Sequence, residues 1–104
     1  MALSARLKQW SGVPSNFALA SADGTVFTLA PGEIGYIMNL STDAPLAVKF
    51  GASASTTSLN LILKKATVAS DGSGGEIWID KFVGVVSVAK MTGTASYIAW
   101  KVAP

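Results

Sequence analysis

Residues 33–40 read Glu-Ile-Gly-Tyr-Ile-Met-Asn-Leu, with a large apolar side chain at every second position from Ile34 to Leu40. Such alternation over four to eight residues is typical of a β-strand that buries one face. The same period recurs in residues 46–50, 59–64, 76–80 and 97–102 of this chain of 104 residues. Residues 83–89 are more uniformly apolar, which indicates a central strand or a strand buried on both faces.

Turn-forming residues separate these segments. Asp23-Gly24 is predicted to form a tight hairpin between short strands around Phe17 and Phe27, and residues 71–75 to form the flexible tip of a long hairpin. No window of 11 residues carries a convincing helical stripe. We therefore predict an all-β fold: a single-domain antiparallel β-sandwich, jelly-roll-like, with about eight short strands and an N-terminal arm. The residues predicted to be buried are Ile34, Tyr36, Leu46, Val48, Leu61, Leu63, Ile77, Ile79, Ile98 and Trp100.

The expected division of the chain is an N-terminal arm, residues 1–14, and a β-sandwich domain, residues 15–104. Pro14 restricts Val13 to extended conformations and so separates the two parts. The arm lacks a basic leader followed by a long apolar run, so we expect no secretion signal there. Two placements of the arm are open. It docks on a neighbouring subunit or on a partner protein, or it is the first edge strand of its own domain.

Six residues are candidates for an interface with another protein. In the arm, apolar side chains would fill an apolar site while two basic side chains meet acidic groups. Trp78 lies out of phase with Ile77 and Ile79, and an outward-facing Trp is a common interface anchor. Alternatively, a second layer or the arm covers Trp78. The candidates are Leu3, Arg6, Leu7, Lys8, Trp10 and Trp78.

The composition is poor in charge and rich in apolar residues. Only 13% of residues are Asp, Glu, Lys or Arg and 50% are hydrophobic, although no apolar run is long enough to span a membrane. Soluble domains usually carry about 25% charged residues. We interpret the deficit as surface that other protein covers. The formal net charge of +2 comes from scattered residues, whereas nucleic-acid binders usually concentrate basic charge on one face, so no nucleic acid is expected as a partner.

Residues able to carry chemistry are few. The chain has no His and no Cys, which removes the commonest general base and metal ligands. Glu76 and Asp80 would lie about 13 Å apart along one strand face, too far for a glycosidase pair. The loop at residues 71–75 offers one carboxylate, too few for calcium, and the hydroxyl cluster at residues 53–58 has no evident activating base. We expect no enzyme activity, no cofactor and no metal.

Residues 39–42, 44–51 and 54–57 form a pattern of turn and strand signals, which continues at residues 63–67, 71–75 and 84–88. This pattern resembles that of small virion proteins of tailed bacteriophages and covers about half of the chain, from Gly35 to Ala89. The resemblance implies a small all-β structural protein without a catalytic site. The first 30 residues lie outside it, so it says nothing about the arm.

Two functions from different classes are therefore expected. The first is a non-enzymatic head decoration (cement) protein that binds the major capsid protein on the outer surface of the phage head. It would be made in the host cytoplasm and self-associate; a trimer is implied by the resemblance alone. The alternative is a fibre or tail-associated binding module that recognises a host glycan. Such a module needs exposed aromatic residues near Asp, Asn or Gln, and only Trp78 fits from sequence.

Overall fold

The computed structural model describes residues 18–20, as backbone only, and residues 23–68, 73–92 and 96–102. These residues contain eight β-strands and no helix. The strands are β1 (Ala18–Ala20), β2 (Gly24–Leu29), β3 (Ile34–Asn39), β4 (Leu46–Lys49), β5 (Leu61–Leu63), β6 (Glu76–Ile79), β7 (Gly84–Lys90) and β8 (Tyr97–Val102).

The strands form two antiparallel sheets that pack around a shared core. Sheet A has the strand order β1-β8-β3-β6 and sheet B has the order β2-β7-β4-β5. In sheet A, Tyr36 on β3 stands opposite Trp100 on one side and Trp78 on the other. The predicted all-β, antiparallel, sandwich-like architecture is confirmed. β7 lies between β2 and β4, as expected for the uniformly apolar segment.

The shared core fills the space between the sheets. Its buried side chains come from both sheets, and Phe27 of β2 packs directly against the backbone of Gly35 on β3. A side chain larger than hydrogen at position 35 would collide with the Phe27 ring, which explains a glycine in a central strand. The buried members are Phe27, Leu29, Ile37, Ala44, Leu46, Val48, Leu63, Ile79, Val86, Val88, Tyr97 and Ala99.

The predicted hairpin at Asp23-Gly24 is wrong. β1 pairs with β8 and β2 pairs with β7, so the strands that flank this turn belong to different sheets. The carboxylate of Asp23 instead accepts a hydrogen bond from the backbone amide of Lys90, at the end of β7 (2.8 Å). An Asp-Gly pair favours a local reversal of the chain, but it does not determine which strands then pair.

The predicted hairpin around residues 71–75 is also wrong, because β5 and β6 belong to different sheets. Gly74 is buried, and Gly75 donates a backbone hydrogen bond to Lys64 (2.9 Å) and accepts one from Asn39 (2.9 Å). A Cβ atom at Gly74 would lie 1.8 Å from the Asn39 carbonyl oxygen. These glycines therefore allow a close crossing of three backbone segments.

The predicted phase of the central strands needs a correction. β3 and β8 are buried on both faces, and the phase that faces the shared core is the one containing Gly35, Ile37 and Ala99. Tyr36, Ile98 and Trp100, expected in that core, are buried on the opposite face of sheet A. Because Gly35 and Ala99 lie on the inner phase, the larger side chains of the other phase gave the stronger hydropathy signal. Of the other predicted core residues, Ile34, Leu61 and Ile77 are only partly buried.

Candidate functional site

Three aromatic rings form the centre of a second apolar cluster on the face of sheet A that points away from the shared core. The Tyr36 and Trp100 rings stack with centroids 5.0 Å apart, and Trp78 packs against both, at 4.8 and 5.2 Å. Offset and edge-to-face geometries of this kind are the favourable ones for aromatic pairs. We call this set the outer-face cluster; its members are Tyr36, Met38, Ile98, Trp100 and Val102, with Leu40 and Trp78 packed against them.

One ionisable group joins the outer-face cluster. The Tyr36 hydroxyl donates a hydrogen bond to the carboxylate of Glu76, across the β3–β6 pair. The sequence predicts Glu76 and Asp80 on one strand face, but Glu76 is partly buried whereas Asp80 is exposed. The two carboxylates therefore lie in different surroundings, and Glu76 orients an aromatic hydroxyl.

Trp78 is the one predicted interface residue that lies within the described residues. It is partly buried, because one side of it packs into the outer-face cluster. Trp78 is also one of the residues that line a cleft described below. The remaining five predicted interface residues lie outside the described residues. They are Leu3, Arg6, Leu7, Lys8 and Trp10, all within the predicted arm of residues 1–14.

A cleft of about 420 Å³ opens beside β6, at the edge of sheet A. Phe50, directly after β4, and Phe82, between β6 and β7, stack at its wall with ring centroids 5.3 Å apart. Asp80 and Lys81 supply the only charged side chains among its lining residues. We call this the β6 cleft; it is lined by Phe50, Ile77, Trp78, Ile79, Asp80, Lys81 and Phe82.

Sequence reasoning missed the pairing of Phe50 with Phe82. Phe50 continues the buried phase of the segment at residues 46–50, and Phe82 lies in a connection with no strand period. Their contact depends on how the two sheets pack on each other, because Phe50 follows a strand of sheet B and Phe82 follows a strand of sheet A, and neither local pattern encodes that packing. The sequence offered one signal for this contact, which is an aromatic residue, Phe82, directly after the charged pair Asp80-Lys81.

Asn39, the first residue of the motif at residues 39–42, forms buried hydrogen bonds that connect three segments of the chain. The fully buried Asn39 amide donates hydrogen bonds to the carbonyls of Ala44 (2.9 Å), Leu63 (3.2 Å) and Lys64 (3.2 Å), and its oxygen accepts one from the Ser41 amide (3.0 Å). Buried polar groups are costly unless satisfied in this way. Asn39 and Ser41, within one of the segments that carry the resemblance, thus form a structural corner.

The hydroxyl-rich loop at residues 53–58 is likewise tied to the fold. The Ser87 hydroxyl donates to the Gly51 carbonyl (2.6 Å) and accepts from the Ala54 amide (3.0 Å), which fastens the loop to β7. Lys49 donates to the Ser58 hydroxyl (2.7 Å), a contact that the sequence spacing did not predict. Neither Lys49 nor Ser58 lines the β6 cleft.

Two further ionisable groups, Glu33 and Tyr97, have pKa values that their surroundings shift. Glu33 accepts hydrogen bonds from the Ala30 amide (2.8 Å) and from Lys101 (3.1 Å), and these contacts lower its carboxyl pKa. Burial, with the nearby charge of Asp23, raises the pKa of the Tyr97 phenol. In the part of the chain that the structure describes, His, Cys, Asp and Glu form no group of three or more able to hold a metal ion.

Comparisons of the chain with protein-family models, with curated proteins and with solved structures found no match. Among the described residues there is also no helix of the length and apolar character needed to cross a membrane. The site is therefore interpreted from its own geometry: an aromatic cleft at a sheet edge, next to a buried aromatic cluster.

Proposed function

We propose that this chain is a non-enzymatic structural protein of a phage particle, a capsid decoration (cement) protein that binds the major capsid protein on the outer surface of the head. The observation that carries the proposal is the β6 cleft. Aromatic residues are enriched and charged residues are depleted at the centres of protein interfaces. The stacked Phe50 and Phe82 meet that description at the edge of a sheet, where Trp78 is a further lining residue.

The strand order supports the same proposal. Except for β4 and β5, consecutive strands alternate between the two sheets, as β1-β8-β3-β6 and β2-β7-β4-β5. Two interlocked Greek keys produce this alternation, and we infer that the sandwich is a jelly roll. Jelly rolls are common in viral capsid proteins and in lectins. The inferred fold is therefore compatible with a virion role and with a glycan-binding role.

The assembly state belongs to the proposal. A decoration protein bridges capsid subunits in many copies, and the low charge of 13% favours broad apolar contacts between copies. The trimer implied by the resemblance is the assembly to test first. Sedimentation equilibrium over a wide concentration range should give a trimer, and a monomer at every concentration would contradict self-association.

The first test of the proposed function is copy number. Phage particles purified from the organism that encodes the chain should contain this protein in hundreds of copies, measured by quantitative mass spectrometry against the major capsid protein. A few copies per particle would favour a tail or fibre position. Absence from the particles would refute a virion role.

The second test addresses the β6 cleft. Phe82→Asp places a charge at the stacked pair and should abolish binding of the purified protein to particles that lack it. Lys81→Ala is the matched control, since it changes the adjacent exposed residue without altering the aromatic wall. Equal binding by both variants would show that the cleft is not the attachment surface.

A specific feature of the same cleft favours the second candidate, a glycan-binding module of a tail or fibre. Trp78, Asp80 and Lys81 all line the cleft, and the volume of about 420 Å³ falls in the range of small-ligand sites. A glycan array separates the two candidates. Specific binding that Asp80→Ala removes would favour the module, whereas particle binding without glycan binding favours decoration.

A further inference from the structure

The outer-face cluster is buried although the described strands provide only the sheet behind it. Tyr36, Met38 and Trp100 each have 0% of their surface exposed. Outside sheet A, the main strand contacts of β3 and β8 are with β2, on the side of the shared core. No strand that the structure describes lies in front of the cluster. An apolar sheet face needs a second layer, so another part of the polypeptide must cover this one.

The N-terminal segment that precedes the described residues is joined to sheet A. β1 begins at Ala18 and is the edge strand of sheet A beside β8. The preceding residues, 1–17, can reach about 56–61 Å when extended. Crossing the face from β1 to β6 requires only about 15 Å, because neighbouring strands lie about 4.8 Å apart. The segment is therefore long enough to cover the whole face of its own sheet.

The chemistry of residues 1–17 matches that face. Leu3, Leu7 and Trp10 supply apolar side chains, and Arg6 and Lys8 are the only charged residues in the segment. On the described strands, the outer face of sheet A carries a single charged side chain, the Glu76 carboxylate beside Tyr36. One basic residue near Glu76 would complement it while the apolar residues pack on the rings.

We propose that residues 1–17 dock on the outer face of sheet A of the same chain and complete the outer-face cluster as a second core. This placement selects the chain's own domain over a neighbouring subunit as the partner of the arm. It goes beyond the proposed function and does not depend on it, since the cluster needs a cover in a virion protein and in a lectin alike.

Thiol reactivity in the full-length protein tests this docking. The chain has no Cys, so one substitution introduces one reporter. Leu7→Cys should react with a thiol reagent at least about tenfold more slowly than Ser4→Cys, because a docked apolar position reacts only after local opening. Equal rates at both positions would overturn the proposal. Protection that disappears on dilution would overturn same-chain docking, since only docking between copies depends on concentration.

Methionine oxidation gives an independent measurement. Met38 is fully buried in the outer-face cluster, whereas Met91 is partly exposed and serves as an internal reference. Deletion of residues 2–12 should raise the peroxide oxidation rate of Met38 to that of Met91, while the backbone amides of β7 remain protected from exchange. Retained protection of Met38 in the folded deletion variant would overturn the proposal. If the deletion prevents folding, Leu7→Asp with Ser4→Asp as control replaces it, with the same readout.

Discussion

Gly35→Ala should destabilise the protein by overpacking the shared core. A Cβ atom at position 35 would lie 2.5 Å from Cζ and 2.7 Å from Cε1 of Phe27. Real Cβ contacts are longer, so the ring or the strand must move. Phe27 is 4% exposed and held between the two sheets, and it therefore cannot swing outward at low cost.

The magnitude follows from two opposing effects. Inserting a methyl group into a well-packed core costs about 1–3 kcal/mol. Replacing a strand glycine by alanine restores about 0.5–1 kcal/mol, because glycine loses more conformational freedom on folding. We expect a net loss of about 1–2 kcal/mol in the free energy of unfolding. Urea denaturation followed by far-UV circular dichroism measures it.

A double-mutant cycle shows whether the Phe27 contact is the cause. Phe27→Leu shortens the side chain, so the methyl group introduced at position 35 fills part of the space that the ring leaves. The double variant should be less destabilised than the sum of the single variants, by about 1 kcal/mol or more. Ile98→Val, on the opposite face of sheet A, is the control and should add to Gly35→Ala. Additivity of Gly35→Ala with Phe27→Leu would refute this account of the packing.

Other predictions concern the core, the carboxylates and metals. Leu46→Ala, at a fully buried position, should cost about 2–5 kcal/mol in urea denaturation, and Leu61→Ala should cost less because that residue is only partly buried. Contacts from Ala30 and Lys101 lower the pKa of the Glu33 carboxyl below its ordinary value of 4.5. The stabilisation that the ionised Glu33 gives the folded state should therefore be complete above that pH and should be lost as the pH falls through the lowered pKa. Glu33→Gln should flatten that acid limb of a thermal-melting pH profile, and an unchanged limb would contradict the assignment. Thermal melting with and without a chelator should coincide, and a drop of several degrees with chelator would reveal a bound metal.

The sequence predicted strands well because each strand carries its own period. The segment at residues 97–102 was predicted as a strand, and β8 occupies the same range. Pairing was predicted less well. Asp23-Gly24 favoured a local hairpin, yet β2 pairs with the distant β7. Which strands pair depends on burial of the whole sheet, and that is a non-local property.

The candidate site was predictable only where one residue broke a pattern. Trp78 stood out because it lies between Ile77 and Ile79 in the wrong phase, and the structure places it at both the outer-face cluster and the β6 cleft. The stacking of Phe50 on Phe82 was not predictable, because each residue looks ordinary in its own segment. The packing of the two sheets brings the two rings together.

The low charge of the chain has an internal cause as well as an external one. A sandwich with one core needs apolar residues on one phase of each strand, but β3 and β8 bury both phases. The outer-face cluster therefore accounts for part of the apolar excess that the composition assigned to contact with other protein. Among the described residues, exposed apolar side chains contribute another part: Ile62, Val68 and Val83 are more than half exposed, and Phe50 and Phe82 line an open cleft. If residues 1–17 close the outer face of sheet A, a partner has to bind elsewhere, and the β6 cleft with the adjoining Val83 is the described apolar surface best suited to it.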